Sequence, residues 1–297
     1  MTQPTLTQLQ AFVAVCEHEG FSAAADELGM SQPAVSQQIR LLETSLGVQL
    51  FERRPRGTVV SGAGEVLLPF ARQALAAVDA ITVEAERQRT GVTRIRLAAI
   101  PTIAPYLLPS VIAQLKQEHP GARLSVAEMR TTEIVDALTQ GALDLAIIAT
   151  DEDSAAIAST VVQEDPFLLA VPEGDVLAAR KRVHPDVLAD RDVLLLQDGH
   201  CLRGQAQEVC QRVDGARTQD VSASGLTTVC QMVAAGQGVT LLPRIAVEIE
   251  CRAGSGIAVI ALTGSRGRII RIAWRRTSAL ATQWEAMSVA VATALRS

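Results

Sequence analysis

Between Leu6 and Glu19 the apolar residues Leu9, Phe12, Val13 and Cys16 recur at the spacing of one helix face, and Gly20 supplies a stop. Ser22 then reads as the cap of a short Ala-rich helix through Leu28, Gly29-Met30 as a turn, and Ser31 as the N-cap of a third helix with Pro33 in its first turn. On that helix Val35, Ile39, Leu42 and Leu46 form an inward stripe. This is helix-turn-helix spacing. Val48 to Val60 reads as two short extended runs joined by a Pro-Gly turn, Pro55-Arg56-Gly57. From Ser61 a long helix runs to about Arg89, with Leu67, Phe70, Ala74, Val78, Ile81 and Ala85 at alternating three- and four-residue steps. A seam of that period pairs two helices and predicts a dimerising linker, kinked at Pro69.

Beyond Gly91 the pattern changes to short apolar runs separated by helical stretches: Ile95 to Ile100, Leu124 to Ala127, Leu143 to Ala149, Phe167 to Val171, Val193 to Leu196, Val239 to Leu242, Ile257 to Leu262 and Ile269 to Trp274. Continuous hydrophobicity predicts strands buried on both faces, hence an α/β sheet covered by helices. About 200 residues make two lobes with room for a ligand site between them.

Chemistry can now be placed on these elements. Gln32, Ser36 and Arg40 stand four apart on one face of the third helix, with Pro33 and Gln37 beside them, and short hydrogen-bonding side chains near a helix N-terminus suit base edges in a major groove. Arg53, Arg54 and Arg56 lie in the following extended segment, where basic side chains suit phosphates or a minor groove. Double-stranded DNA is the partner this implies, although the net charge of -5 does not announce it. No apolar run reaches the length of a membrane span, and the N-terminus lacks the basic and apolar regions of a signal peptide, so a cytoplasmic protein with no membrane partner is expected.

Five cysteines, an odd number, argue for free thiols or one regulated pair. Asp198-Gly199-His200-Cys201-Leu202-Arg203 follows the strand Val193 to Leu196, which puts Cys201 at the start of a helix continuing to Arg212. A helix N-terminus, with His200 and Arg203 adding positive charge or donors, predicts a favoured thiolate at Cys201. Cys210 lies nine residues on, about 13 Å along a helix, whereas a disulfide needs Cα atoms within about 7 Å. The two thiols can coexist with the helix or bond to each other, but not both. Cys16 and Cys230 fall on apolar helix faces and read as packing; Cys251 precedes a Gly-rich turn that would leave it exposed. No cysteine or histidine set has metal spacing, and His18, His119 and His184 are isolated, so neither metal nor cofactor is expected.

Phe21-Ser22-Ala23-Ala24-Ala25, Leu28, Ser31-Gln32-Pro33-Ala34-Val35-Ser36, Ile39, Leu42-Glu43, Leu46-Gly47 and Leu50-Phe51-Glu52-Arg53 together resemble the LysR-type transcriptional regulators. Within them, the Asp198 to Arg203 stretch with Gln205-Ala206 and Cys210 looks like the OxyR group, as do Ile100-Pro101-Thr102, Pro105 to Pro109 and Met232 to Pro243. The resemblance implies an N-terminal all-α winged helix-turn-helix over 1–60, a linker and dimerisation helix over 61–91, and a periplasmic-binding-protein-like regulatory domain over 92–297. Its lobe I would cover about 92–163 and 267–297 and lobe II about 164–266, with crossovers near Gln163 and Arg266.

It also implies hydrogen peroxide as the signal, Cys201 as the peroxidatic and Cys210 as the resolving cysteine, a thiol reductant for resetting, and a tetramer built from dimers. Peroxide would be bound by Thr102, Thr131, His200 and Arg268, with Thr132, Arg266 and Arg271 as neighbouring candidates and Arg203 in support. One position departs from the group: Gly204 stands where an acid is expected, leaving Arg203 freer to act on the thiolate or weakening the network around His200. Two further readings stand beside this one: a regulator sensing a small metabolite between the lobes, with the cysteines incidental, and a thiol peroxidase, which would have no use for the helix-turn-helix.

Overall fold

The computed structural model describes residues 3–294 apart from 19, 55–56, 91–93, 153, 222, 224, 265–266 and 279. The chain divides into two compact units, Met1–Gly91 with Thr139–Ala142, and Val92–Leu138 with Leu143–Ser297.

In the first unit α1 (Leu6–Glu17) is opened by a capping box, in which Thr5 and Gln8 each bond the other's backbone N–H. α2 (Phe21–Leu28) is capped by Gly20 rather than by Ser22, which lies inside the helix. Gly29 closes α2 in the left-handed region at φ 61°, and Ser31 caps α3 (Gln32–Leu46), its side chain accepting from the Ala34 N–H. Phe12, Leu42 and Leu50 are almost fully buried where these helices meet. Strands β1 (Phe51–Arg54) and β2 (Gly57–Val60) pair antiparallel as the wing. The Glu43 carboxylate accepts from the backbone N–H groups of Leu50 and Phe51, so the wing is hung directly from α3. The turn at Pro55-Arg56 lies outside the described residues.

α4 (Gly62–Thr90) is one continuous helix that includes Pro69, with Ser61 accepting from the Gly64 N–H at its start. Of its expected seam, Leu67 packs on the core of its own unit, together with Leu68, Ala71 and Leu75 from beside the seam. Phe70 and Ile81 of the seam point out at 64% and 69% exposure, with the neighbouring Val66 at 66%.

The second unit holds β3 (Arg94–Ala99), α5 (Ala104–Glu118), β4 (Arg123–Glu128), α6 (Thr131–Gln140) except for its last two residues, β5 (Leu145–Ile148), β6 (Ile157–Asp165), β7 (Phe167–Pro172), β8 (Arg182–Val183), β9 (Asp192–Leu195), α7 (Cys201–Cys210), β10 (Arg217–Asp220), α8 (Leu226–Ala234), β11 (Thr240–Pro243), α9 (Arg244–Glu250), β12 (Ile257–Leu262), β13 (Arg268–Arg275) and α10 (Ala281–Ala294). Lobe I is a sheet of order β4-β3-β5-β13-β6, its first three strands parallel. Lobe II has the sheet β11-β7-β12-β8 and the parallel pair β9-β10, joined to β11 by the Val193–Val239 bridge. Each lobe has its own apolar core.

The chain leaves lobe I between β6 and β7 and returns before β13. There the backbones nearly touch: a Cβ on Gly267 would stand 2.2 Å from the Asp165 carbonyl oxygen. Only glycine fits. Contrary to the expectation of strands buried on both faces, β4 is an edge strand with little buried surface.

Candidate functional site

Thr102, Thr131 and Thr150 follow the carboxyl ends of the adjacent parallel strands β3, β4 and β5. This edge of an open α/β sheet is where ligands collect, because the turns into the helices present backbone and short polar side chains together. Arg268 begins β13 and enters the same edge from the antiparallel side. Its guanidinium donates from Nη1 to Thr102 Oγ1 at 2.7 Å, from Nη2 to the Thr102 carbonyl at 2.9 Å and from Nε to Asp165 Oδ2 at 2.9 Å. Both members of the Arg268–Asp165 pair are fully buried. A guanidinium used on three edges this way is fixed in orientation.

Cys201 faces this edge from the opposite lobe. It is the first residue of α7, with His200 as the N-cap residue, and its half-buried side chain packs on the lobe I core. Four residues on, Gln205 lies on the same helix face and donates from Nε2 to the Ala149 carbonyl at 2.7 Å. Gly199, at φ 92°, leaves room for the Arg130 guanidinium, which a Cβ would meet at 2.9 Å. Thr131 Oγ1, Thr150 Oγ1, His200 Nε2 and Gln205 Oε1 are all buried without a well-formed hydrogen bond. Buried polar atoms are seldom left this way unless something small and polar satisfies them.

The electrostatics differ from the sequence expectation. Burial raises the Cys201 thiol above its ordinary value; Arg268, the Thr131 hydroxyl and the backbone N–H groups at the start of α7 pull it down, and burial prevails. At rest Cys201 is a thiol, not the favoured thiolate expected from its place at a helix N-terminus. The cation that acts on it is Arg268. Arg203 points elsewhere, held by Asp198 at 2.6 Å and by a close bidentate pair with Asp220. Gly204 therefore does not leave Arg203 free, since Asp198 and Asp220 occupy it. His200 is not cationic either: burial first, then Arg130, lowers its pKa and keeps it neutral.

The neighbouring threonine and arginines are placed differently from the residues they adjoin. Thr131 faces Cys201 while Thr132 is exposed. Arg271 is paired with Asp151 and Ser159, and Arg266 lies outside the described residues.

Cys210 ends α7 in the core of lobe II, 3% exposed, with its pKa pushed up to about 11 by burial. It and Cys201 are free thiols, separated by the whole helix, about 13 Å. Cys16 is half-buried on its own core, and Cys230 is fully buried. Cys251, expected to be exposed, is half-buried against the lobe II core at the C-terminal end of α9. Among the described residues no group of three or more His, Cys, Asp or Glu can hold a metal ion.

In the first unit Gln32, Pro33, Gln37 and Arg40 are exposed on α3, and Ser36 is half-buried with its carbonyl accepting from Arg40 Nε. Arg53 and Arg54 belong to β1, and their side chains lie outside the description.

A helix-turn-helix with a two-lobed α/β unit defines a class of ligand-responsive DNA-binding regulator. Comparison with known families agrees. Residues 6–65 match the bacterial regulatory helix-turn-helix protein, lysR family, and residues 88–294 match the LysR substrate binding domain. The chain belongs to the LysR family. Its relatives narrow the place within it. A "Probable hydrogen peroxide-inducible genes activator" of Mycobacterium avium is 41% identical over 93% of this chain and 89% of its own length. The DNA-binding transcriptional dual regulator OxyR of Escherichia coli is 35% identical over 96% of this chain and 94% of its own. Among solved structures, a full-length Pseudomonas aeruginosa OxyR variant superposes with a TM-score of 0.75 at 30% identity, covering 98% of both chains.

Proposed function

We propose that this chain is a cytoplasmic, DNA-binding transcriptional regulator of the OxyR kind, switched by hydrogen peroxide through a reversible Cys201–Cys210 disulfide, and not an enzyme. The observation that carries this reading is the placement of the two thiols: Cys201 faces Arg268, Thr131 and unsatisfied buried polar atoms across the lobes, and Cys210 is held at the far end of the same helix.

Thr102, Thr131, His200 and Arg268 bind peroxide. The guanidinium and hydroxyls stabilise the leaving oxygen as the O–O bond breaks. The Cys201 sulfur takes one peroxide oxygen, giving a sulfenic acid, and the second oxygen leaves as water with the thiol proton. The Cys210 thiol then attacks the sulfenic sulfur, forming the S–S bond and releasing a second water. A thiol reductant resets the pair by exchange. Because the bond is incompatible with an intact Cys201–Cys210 helix, α7 must unwind at least in part.

On this reading residues 1–60 read DNA, with Gln32, Pro33, Ser36, Gln37 and Arg40 at base edges and Arg53 and Arg54 at the backbone; 61–91 form the linker; and 92–297 form the regulatory domain with lobes arranged as in a periplasmic binding protein. The outward face of α4 supplies the dimer contact, and two dimers form the working tetramer.

Cys201→Ser tests the reading. It should abolish the peroxide-dependent change in DNA binding or transcription while leaving DNA affinity in the reduced state intact. A variant that still responds to peroxide overturns it.

A further inference from the structure

The peroxide site is assembled from two lobes, Cys201 and His200 from one and Thr102, Thr131 and Arg268 from the other. Whatever fixes the lobes to each other therefore fixes the site.

The lobes exchange side chains. Ile245 of α9 and Cys201 pack on the core of lobe I, and Tyr106 of α5 packs on the core of lobe II. The Tyr106 hydroxyl donates to Glu250 Oε1 at 2.8 Å, and Thr227 of α8 donates to the same oxygen at 2.9 Å. Glu250 is only 8% exposed, at the end of α9. At the start of α9 the Ile245 N–H donates to Asp165 Oδ1, whose second oxygen holds Arg268. Tyr106 lies in the first turn of α5, four residues after Thr102, and its N–H donates to the carbonyl of Ile103, whose own N–H closes the preceding turn, Ile100 to Ile103, that carries Thr102. Helix α9 is thus tied to lobe I at both ends, once through the partner of Arg268 and once through the first turn of α5, which follows directly on the Thr102 turn.

We propose that Tyr106 is a positioning residue for the peroxide site, holding the Thr102 turn and the Arg268 it binds in register with Cys201 through its hydrogen bond to Glu250. This rests on the reading of Cys201 as the peroxidatic cysteine. The hydroxyl, rather than the ring, carries the role: the ring supplies apolar packing that phenylalanine reproduces, whereas the bond to a buried carboxylate is directional and fixes distance.

The test uses the full-length reduced chain and compares two reactions of Cys201, sulfenic acid formation with hydrogen peroxide and alkylation by iodoacetamide. Both reagents react with the Cys201 thiolate; peroxide in addition needs the donors across the cleft, which the alkylating agent does not. In Tyr106→Phe and Glu250→Ala the peroxide rate should fall about tenfold or more, as expected of small misplacements at a reacting centre, with alkylation falling much less. Glu250→Gln, whose amide oxygen still accepts from Tyr106, should keep most of the peroxide rate. A Tyr106→Phe chain that reacts with peroxide like the parent overturns the proposal, as does an equal fall in both reactions or a Glu250→Gln chain as slow as Glu250→Ala. A parent chain whose Cys201 is not oxidised at all instead overturns the functional reading itself.

Discussion

At the scale of single residues, the Arg268–Asp165 pair carries most of the electrostatic consequence. Both side chains are fully buried and hydrogen-bonded to lobe I or α9, so neither can be removed alone without stranding its partner. Arg268→Ala should cost on the order of 3–5 kcal/mol, because it leaves an unpaired buried carboxylate. Denaturant unfolding measures it, and Asp165→Asn added to that variant should recover part of the loss. The same substitution should slow oxidation of Cys201, since Arg268 is the strongest influence favouring its thiolate.

The buried thiols also set an alkaline limit. Burial raises Cys210 to about 11 and Cys230 to about 12 from an ordinary value of 9.0. A thiol raised on folding keeps its proton in the native state while the unfolded chain gives it up. Its contribution is complete below the unfolded value and lost as pH rises through the folded one. Stability should therefore decline between about pH 9 and 11, and Cys210→Ala should make that decline shallower in a pH series of melting curves.

At the scale of elements, α7 is the proposed switch and Gly204 lies inside it. A Cβ there would meet nothing within 4 Å, so Gly204→Ala adds helix propensity without a clash. Alanine favours a helix interior by about 1 kcal/mol over glycine. That stabilises the reduced state and should raise the potential of the Cys201–Cys210 couple by about 20 mV. Equilibration with a glutathione buffer measures this shift, and an unchanged potential would mean that α7 does not unwind on oxidation.

Elements also mark where the sequence could and could not be read. The helix-turn-helix was legible because its stripes and its Ser31 cap follow local rules, and most buried strands showed as apolar runs. β6, β8 and β10 did not. β6 is a sheet edge that alternates buried and open positions, β8 is two residues long, and β10, Arg-Thr-Gln-Asp, is exposed throughout. Such strands are held by backbone pairing with neighbours far away in the chain.

The site divides in the same way. Cys201, His200 and Cys210 follow from one helix and its entry turn, whereas the roles of Asp165, Tyr106 and Gln205 depend on which lobe surfaces meet. Gln205 alone left a local signal, four residues from Cys201. The thiolate expectation failed because a local rule about helix termini cannot see burial against the opposite lobe.

At the scale of the whole molecule, the response has to pass from the regulatory unit to DNA, and an oligomer is the means proposed. Val66, Phe70 and Ile81 leave an apolar strip on α4 that its own unit does not cover. Phe70→Glu should lower the oligomeric state by sedimentation and weaken binding to a two-half-site DNA far more than to a single half-site, because two linked readers bind with a high effective concentration. An unchanged oligomer in that variant would move the interface elsewhere.

The central claim is that peroxide joins Cys201 to Cys210 at the expense of the helix between them. Mass-spectrometric mapping of disulfides in the full-length chain, before and after one equivalent of hydrogen peroxide, tests it most directly. The account predicts five free thiols before, a Cys201–Cys210 disulfide after, and Cys16, Cys230 and Cys251 unchanged. A Cys201 that stays reduced, or that pairs with Cys230 or Cys251, would contradict it.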